Sequence, residues 1–227
     1  MRPTISATRE ALGRLFYGRC FYLFVTMLVL VALAPYVEAQ RSGLMIRYLV
    51  SALVMVAAAS AVGRSIVSFL VVLALAAPAL TFRWLALRTG EASYVDLALR
   101  LDAGVYGATI ALLLRYVFDR EVVTSDRLWG AAAAYLMIGV LWSILYTIID
   151  RSDAQAFAIR GANAPLELLD LLYFSFGTLT TIGLGDILPL SAIARTAVMI
   201  EGIVGTLFIA ILIARLVGVG VYPAVRQ

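Results

Sequence analysis

Long apolar runs recur through most of the chain and constrain its fold more than any other feature. About six are long enough to cross the roughly 30 Å hydrocarbon core of a bilayer as helices. Hydrophobic residues make up 63% of the 227 residues, against about 45–50% in soluble domains. We therefore predict an all-α membrane protein with six transmembrane helices, multi-pass in the cell membrane, and we exclude soluble enzyme folds. The predicted spans are residues 21–37, 44–63, 66–82, 101–118, 128–149 and 192–217.

The charged residues are scattered between these runs. All 18 basic residues are arginine, and with 14 acidic residues they give a net charge of +4. This distribution is typical of membrane anchoring, so membrane lipid is an expected partner and nucleic acid is not. The chain has no histidine and a single cysteine, Cys20, which excludes an intrachain disulfide and a cysteine-based metal cluster. Because no cluster of acid, base and nucleophile is present either, we expect no enzyme.

The runs divide the chain into four parts. Residues 1–20 have the pattern of a basic amphipathic interfacial segment and lack a signal-peptide cleavage pattern. Residues 21–120 form a predicted four-helix transmembrane domain, in which a polar stretch at 83–102 separates the third and fourth spans. Residues 121–217 form a second domain, and residues 218–227 a short C-terminal tail.

One apolar stretch in the second domain is too short to cross a membrane. Residues 166–179 would make a helix of about 21 Å, so we predict a re-entrant half-helix. Pro165 suits its first turn, and Glu167 complements the positive end of the helix dipole. The helix must stop before Gly183 and Gly185.

The segment after the half-helix carries the chemistry: Thr178-Leu179-Thr180-Thr181-Ile182-Gly183-Leu184-Gly185-Asp186. Non-helical backbone at membrane depth is tolerated only where it is buried in protein or lines water. Alternating glycines let successive carbonyls point to one side, and four such loops would make rings of oxygens that replace a cation's hydration shell. Thr181 adds a hydroxyl at the inner end, and Asp186 adds acceptors at the outer end. Because one chain offers one such loop, we predict a homotetramer.

Residues 128–217, with Thr180-Thr181-Ile182-Gly183-Leu184-Gly185-Asp186 at their centre, closely resemble the pore module of tetrameric potassium channels. That module consists of an outer helix, a pore helix, a filter loop and an inner helix. The resemblance implies that residues 121–217 are a pore domain and that K⁺ is the permeant ion. It places the ion sites on the carbonyls of Thr181, Ile182, Gly183 and Leu184 and on the Thr181 hydroxyl. Thr180, Gly185, Asp186, Tyr173 and Phe174 would support the filter, and Gly205 would be an inner-helix hinge.

Leu184 departs from the family pattern, which most often has tyrosine there. A tyrosine can hold the filter at a fixed width through a sideways hydrogen bond, whereas leucine can only pack. A weakly selective monovalent cation channel is therefore the alternative function.

Glu201 is a candidate for gating, because a carboxylate within the membrane is energetically costly unless it is paired, protonated or hydrated. It is either a cation attractor or proton-sensitive gate element, or a buried group hydrogen-bonded behind the filter. Gly205, in the same span, is the other gating candidate.

Two further hypotheses concern the first half of the chain. The fourth span carries only Arg115 in its interior half, whereas a voltage sensor needs positive residues at every third position, so we expect weak or no voltage gating. A secondary transporter would need a second interrupted helix, for which the region of Pro78 is the candidate.

Overall fold

The computed structural model describes residues 19–38, 66–119, 124–161 and 165–221. The predicted interfacial segment, residues 1–20, lies outside the described residues except at its last two positions. The predicted second span, residues 44–63, lies outside them entirely.

The described residues are almost all helical, as the all-α prediction requires. Six helices and two three-residue strands follow one another along these residues. They are α1 (Arg19–Glu38), α2 (Ile66–Thr89), α3 (Ala92–Val117), α4 (Ser125–Ser152), β1 (Phe157–Ile159), α5 (Leu168–Leu179), β2 (Ile187–Pro189) and α6 (Ala192–Val221).

Three of the described helices are long and apolar enough to cross a membrane. They are Ala92–Val117, Ser125–Ser152 and Ala192–Val217, which cover the last three predicted spans. Helices α1 and α2 occupy the first and third predicted spans, but the apolar part of α1, Cys20–Tyr36, is shorter. The protein is thus a membrane protein with three candidate spans, and the plan of six spans stays a prediction.

The polar stretch predicted at residues 83–102, between the third and fourth spans, is almost all helical. Helix α2 continues to Thr89 and α3 begins at Ala92. Gly90 makes the turn with a left-handed φ of 70°, which glycine adopts without a steric cost. Three charged residues of this stretch are paired: Arg83 binds Asp102 across the hairpin, and Asp96 binds Arg151 of α4 at 2.6 Å.

Helix α2 runs through Pro78 without interruption. The second broken helix that a transporter would need at Pro78 is therefore not formed there. Helix α6 is also longer than predicted. It continues to Val221 and so includes the first four residues of the predicted tail.

Helix α4 lies at the centre of the fold, packed against α1, α3, α5 and α6. Its small residues Ala131, Ala133 and Ala134 are fully buried, which lets neighbouring helices approach closely. Larger side chains such as Met27 and Leu113 fill the adjoining core from α1 and α3. This packing holds α4 as the support against which α5 is positioned.

The two strands were not predicted. Strands β1 and β2 pair antiparallel, with Phe157 opposite Pro189 and Ile159 opposite Ile187. The N–H of Leu190 also donates to the carbonyl of Ala156 at 2.8 Å. The pairing joins the segment before α5 to the segment that follows the glycine loop.

Candidate functional site

The predicted half-helix is α5, which spans 12 residues. At 1.5 Å per residue its length is about 18 Å, too short to cross a bilayer. It begins after Glu167, whose backbone N–H donates to the side chain of Asp170 at 2.9 Å. This bond is half of a capping box, which satisfies an N–H group that would otherwise lack a partner at the helix start.

The C-terminus of α5 ends in a Schellman motif. The N–H of Thr181 donates to the carbonyl of Thr178, and the N–H of Ile182 donates to the carbonyl of Gly177, both at 2.9 Å. Thr181 adopts the left-handed conformation that this motif requires, with a φ of 61°. A β-branched residue is strained there, and such strain concentrates at functional sites. The glycine loop therefore starts in a strained residue fixed by the helix end.

Beyond Thr181 the backbone alternates in handedness. Positive φ angles occur at Thr181, Gly183 and Gly185, with values of 61°, 55° and 74°, and the residues between them do not share this conformation. The two glycines were predicted to allow such an alternation. The extension to Thr181 was missed, because residue type alone favours glycine at that position.

The outer end of the loop is fixed by Asp186. Its carboxylate accepts a hydrogen bond from the Tyr173 hydroxyl at 2.9 Å, and its carbonyl accepts one from the N–H of Arg160 at 2.7 Å. The bond to the carboxylate raises the pKa of the Tyr173 hydroxyl. Two residues expected to support the filter are thus in contact.

Phe174, expected to act with Tyr173, has different neighbours. Its ring lies 5.4 Å from that of Tyr146 on α4 and 5.6 Å from that of Phe157 on β1, measured between centroids. The two adjacent aromatic residues therefore attach α5 to different elements. Tyr173 hydrogen-bonds to the end of the loop, and Phe174 packs against α4 and β1.

Glu201 is fully buried, at 0% exposure. One carboxyl oxygen lies 2.5 Å from the hydroxyl of Ser175, and the other accepts a hydrogen bond from the hydroxyl of Tyr146. Ser175 also lies 2.8 Å from the carbonyl oxygen of Gly139. Glu201 is therefore a buried, hydrogen-bonded group, and its role in gating stays a prediction.

Gly205 lies against the end of α5. A β-carbon at Gly205 would come within 2.3 Å of the carbonyl oxygen of Leu179, which also accepts a hydrogen bond from the Tyr135 hydroxyl at 3.1 Å. Gly139 has a similar role on α4, where a β-carbon would lie 2.7 Å from the ring of Phe176. The geometry gives Gly205 a packing role, and the hinge stays a prediction.

Sequence reasoning missed four supporting residues: Tyr135, Gly139, Tyr146 and Ser175. An intramembrane glutamate signals that buried partners exist, but it does not identify them. The partners belong to α4 and α5, and only the packing of these helices brings them to α6.

The far end of α6 contacts the end of α3. The guanidinium of Arg215 donates to the carbonyl of Asp119 and lies 5.3 Å from the ring centroid of Phe118. Arg127 of α4 donates to the same carbonyl at 3.2 Å. The first half of the chain therefore contacts α6 at the end away from the glycine loop.

Comparison with known proteins bears on one part of the chain. Residues 131–221 match the model of a protein family described as an ion channel. Neither the curated proteins nor the solved structures yielded a match. The matched residues run from α4 to the end of α6 and include the whole site described above. Residues 131–221 are therefore similar to an ion-channel family, which agrees with the predicted channel class and with the prediction that the protein is not an enzyme.

Proposed function

We propose that the protein is a homotetrameric potassium channel of the cell membrane, with K⁺ passing through a filter of backbone carbonyls. The observation that carries this proposal is the alternation of φ at Thr181, Gly183 and Gly185. A chain that alternates in this way can direct successive carbonyl oxygens to one side. The proposed ion sites are the carbonyls of Thr181, Ile182, Gly183 and Leu184 and the Thr181 hydroxyl.

The surface of α6 supports assembly from several copies. Only 17% of its most apolar 18-residue window is buried within the chain, against 50% for α4. Exposed apolar residues on α6 include Ile203, Leu207 and Ile211, which are 59%, 52% and 52% exposed. Since four loops are needed to surround an ion, we assign part of this surface to contacts with other copies and the rest to lipid.

Voltage does not enter the proposed gating. Helix α3 carries Arg100 and Arg115, which are too far apart for the regular series of charges that a sensor needs. Asp102, buried in the same helix, is bound by Arg83 of α2. We propose that this pair is structural.

A second candidate function, a weakly selective monovalent cation channel, is favoured by Leu184. Its side chain is 62% exposed in the single chain and has no group that can hydrogen-bond across the back of the filter. The filter width would then depend on the tether between Tyr173 and Asp186 and on packing between copies.

Reconstitution of the purified protein in planar bilayers tests both candidates. Under bi-ionic K⁺ and Na⁺ gradients, a potassium channel gives a reversal potential far from zero, and a value near zero supports the weakly selective alternative. Currents of single-channel size distinguish a channel from a transporter. The mass of the purified complex, measured by native mass spectrometry, should correspond to four copies, and a different number would contradict the tetramer.

A further inference from the structure

The buried carboxyl of Glu201 lies where the inner, outer and pore helices meet. We propose that this carboxyl carries a proton when the filter is in its conducting arrangement, and that Glu201 is a positioning residue that holds α5 against α4 and α6. The inference rests on the proposed channel function, because it assigns to Glu201 the support of that same filter.

The first argument is a count of hydrogens. Three close oxygen pairs surround the carboxyl: Tyr146 with Glu201, Glu201 with Ser175, and Ser175 with the Gly139 carbonyl. Each hydrogen bond needs one hydrogen. The hydroxyls of Tyr146 and Ser175 supply two, and the carbonyl of Gly139 supplies none. A third hydrogen on the Glu201 carboxyl completes the set.

With that proton in place, each of the three hydrogen bonds has one donor and one acceptor. Tyr146 donates to one carboxyl oxygen of Glu201, the other oxygen donates to Ser175, and Ser175 donates to the carbonyl of Gly139. Without it, the single hydrogen of Ser175 serves either Glu201 or Gly139. The remaining oxygen pair, at 2.5 or 2.8 Å, would then be in contact with no hydrogen between them.

The surroundings of Glu201 also favour the neutral form. From α4 it is faced by two titratable groups, Tyr146 and Tyr135, and from α5 by the hydroxyl of Ser175. Among the residues that the structure describes, no arginine lies within salt-bridge distance of this carboxyl. A buried carboxylate without a cation is costly, whereas a protonated one is a neutral hydrogen-bond donor.

The network connects directly to the loop. Ser175 lies two residues before Gly177, whose carbonyl accepts hydrogen bonds from the N–H groups of Ile182 and Gly183 at 2.9 and 3.1 Å. A shift of Ser175 would therefore move the acceptor that holds the first part of the filter. Loss of the proton in alkaline solution would loosen this hold and reduce the current.

The first test detects the proton on the Glu201 carboxyl directly and does not require the protein to conduct ions. Infrared difference spectra between the parent protein and Glu201→Gln, at neutral pH, should show loss of the carbonyl stretch of a protonated carboxylic acid. Glu91→Gln, an exposed position at the start of α3, is the matched control and should leave that band unchanged. If Glu201→Gln removes only carboxylate bands, the proposal is overturned.

The second test uses currents. An amide can donate to Ser175 and accept from Tyr146, so Glu201→Gln should keep the parent reversal potential and lose the alkaline decline of current. Glu201→Leu, Ser175→Ala and Tyr146→Phe each break the network and should lower K⁺ over Na⁺ selectivity even at neutral pH. Equal behaviour of the Gln and Leu variants would overturn the positioning role.

The two tests separate this inference from the proposed function. If the parent protein passes no current, the proposed function fails, while the infrared result and the thermal stability of Glu201→Gln relative to Glu201→Leu still decide the inference. If the parent conducts but the acid band is absent, the inference alone fails.

Discussion

The carbonyl oxygen of Leu179 lies 2.3 Å from the position that a β-carbon on Gly205 would occupy. The backbone at the end of α5 therefore lies directly against the middle of α6, together with the side chain of Leu179. Any side chain at Gly205 must push these two helices apart.

Gly205→Ala should destabilise the protein by about 1–3 kcal/mol, the usual cost of overpacking, because a carbonyl fixed by its helix cannot move aside easily. Thermal unfolding of the purified protein in detergent measures the effect. Gly202→Ala is the matched control on the same helix, because a β-carbon there meets nothing within 4 Å in the chain. Equal losses for the two variants would contradict the packing role of Gly205.

Tyr173→Phe should weaken the outer end of the filter, because it removes the hydrogen bond to Asp186. We expect faster loss of current during sustained conduction, with Tyr94→Phe on α3 as the control. The stability that this bond contributes should depend on pH. It is fully present below the ordinary tyrosine pKa of about 10 and is lost as pH rises through the raised pKa of Tyr173. A decline of current that begins well below pH 10 and is absent in Tyr173→Phe would contradict this assignment.

Thr181→Gly should have opposite effects on stability and permeation. Glycine relieves the strained φ of 61° and should stabilise the fold by about 1 kcal/mol. It also removes the hydroxyl proposed as an ion ligand, so K⁺ over Na⁺ selectivity should fall. Thr181→Ser keeps the hydroxyl and should retain selectivity. Unchanged bi-ionic reversal potentials in the glycine variant would rule out the hydroxyl as a ligand.

Arg215→Gln should change the open probability of single channels without changing their reversal potential. The substitution weakens the contact with Phe118 and Asp119, which lies at the opposite end of α6 from the filter. Arg195→Gln, near the start of α6, is the control for loss of one positive charge on this helix. A shifted reversal potential in Arg215→Gln would show that this contact acts on the filter instead.

Asp102→Ala should destabilise the α2–α3 hairpin by about 1–3 kcal/mol, because it removes the buried carboxylate that binds Arg83. Replacing both residues by leucine should recover much of that loss. Denaturation of the parent protein and the two variants in one detergent makes the comparison. If the double variant is no more stable than Asp102→Ala, loss of the ion pair does not explain the loss of stability.

Local sequence signals were sufficient to predict the half-helix and the glycine loop, which consist of residues adjacent in the chain. The short apolar run predicted α5, and the two glycines predicted the turn into a non-helical loop, because both depend on residues adjacent in the chain. The apolar runs likewise located α3, α4 and α6, although their ends were displaced by several residues.

Long-range pairing explains what sequence reasoning missed. Residues 83–102 were predicted only as a polar stretch between two spans, and the pairing of Arg83 with Asp102 across the hairpin was not foreseen. The left-handed Thr181 is imposed by the helix end, against the preference of its side chain. Tyr146 and Ser175 lie 55 and 26 residues from Glu201, and no local pattern joins them to it.

The pairing of β1 with β2 has a consequence for the assembly that we propose. By joining Phe157–Ile159 to Ile187–Pro189, it closes a loop of the chain that contains α5. The entropy of closing that loop is lost when one chain folds, before any encounter with another. In the tetramer that we propose, the chains would then meet with this loop already closed, so the rate of assembly should not depend on folding of the loop.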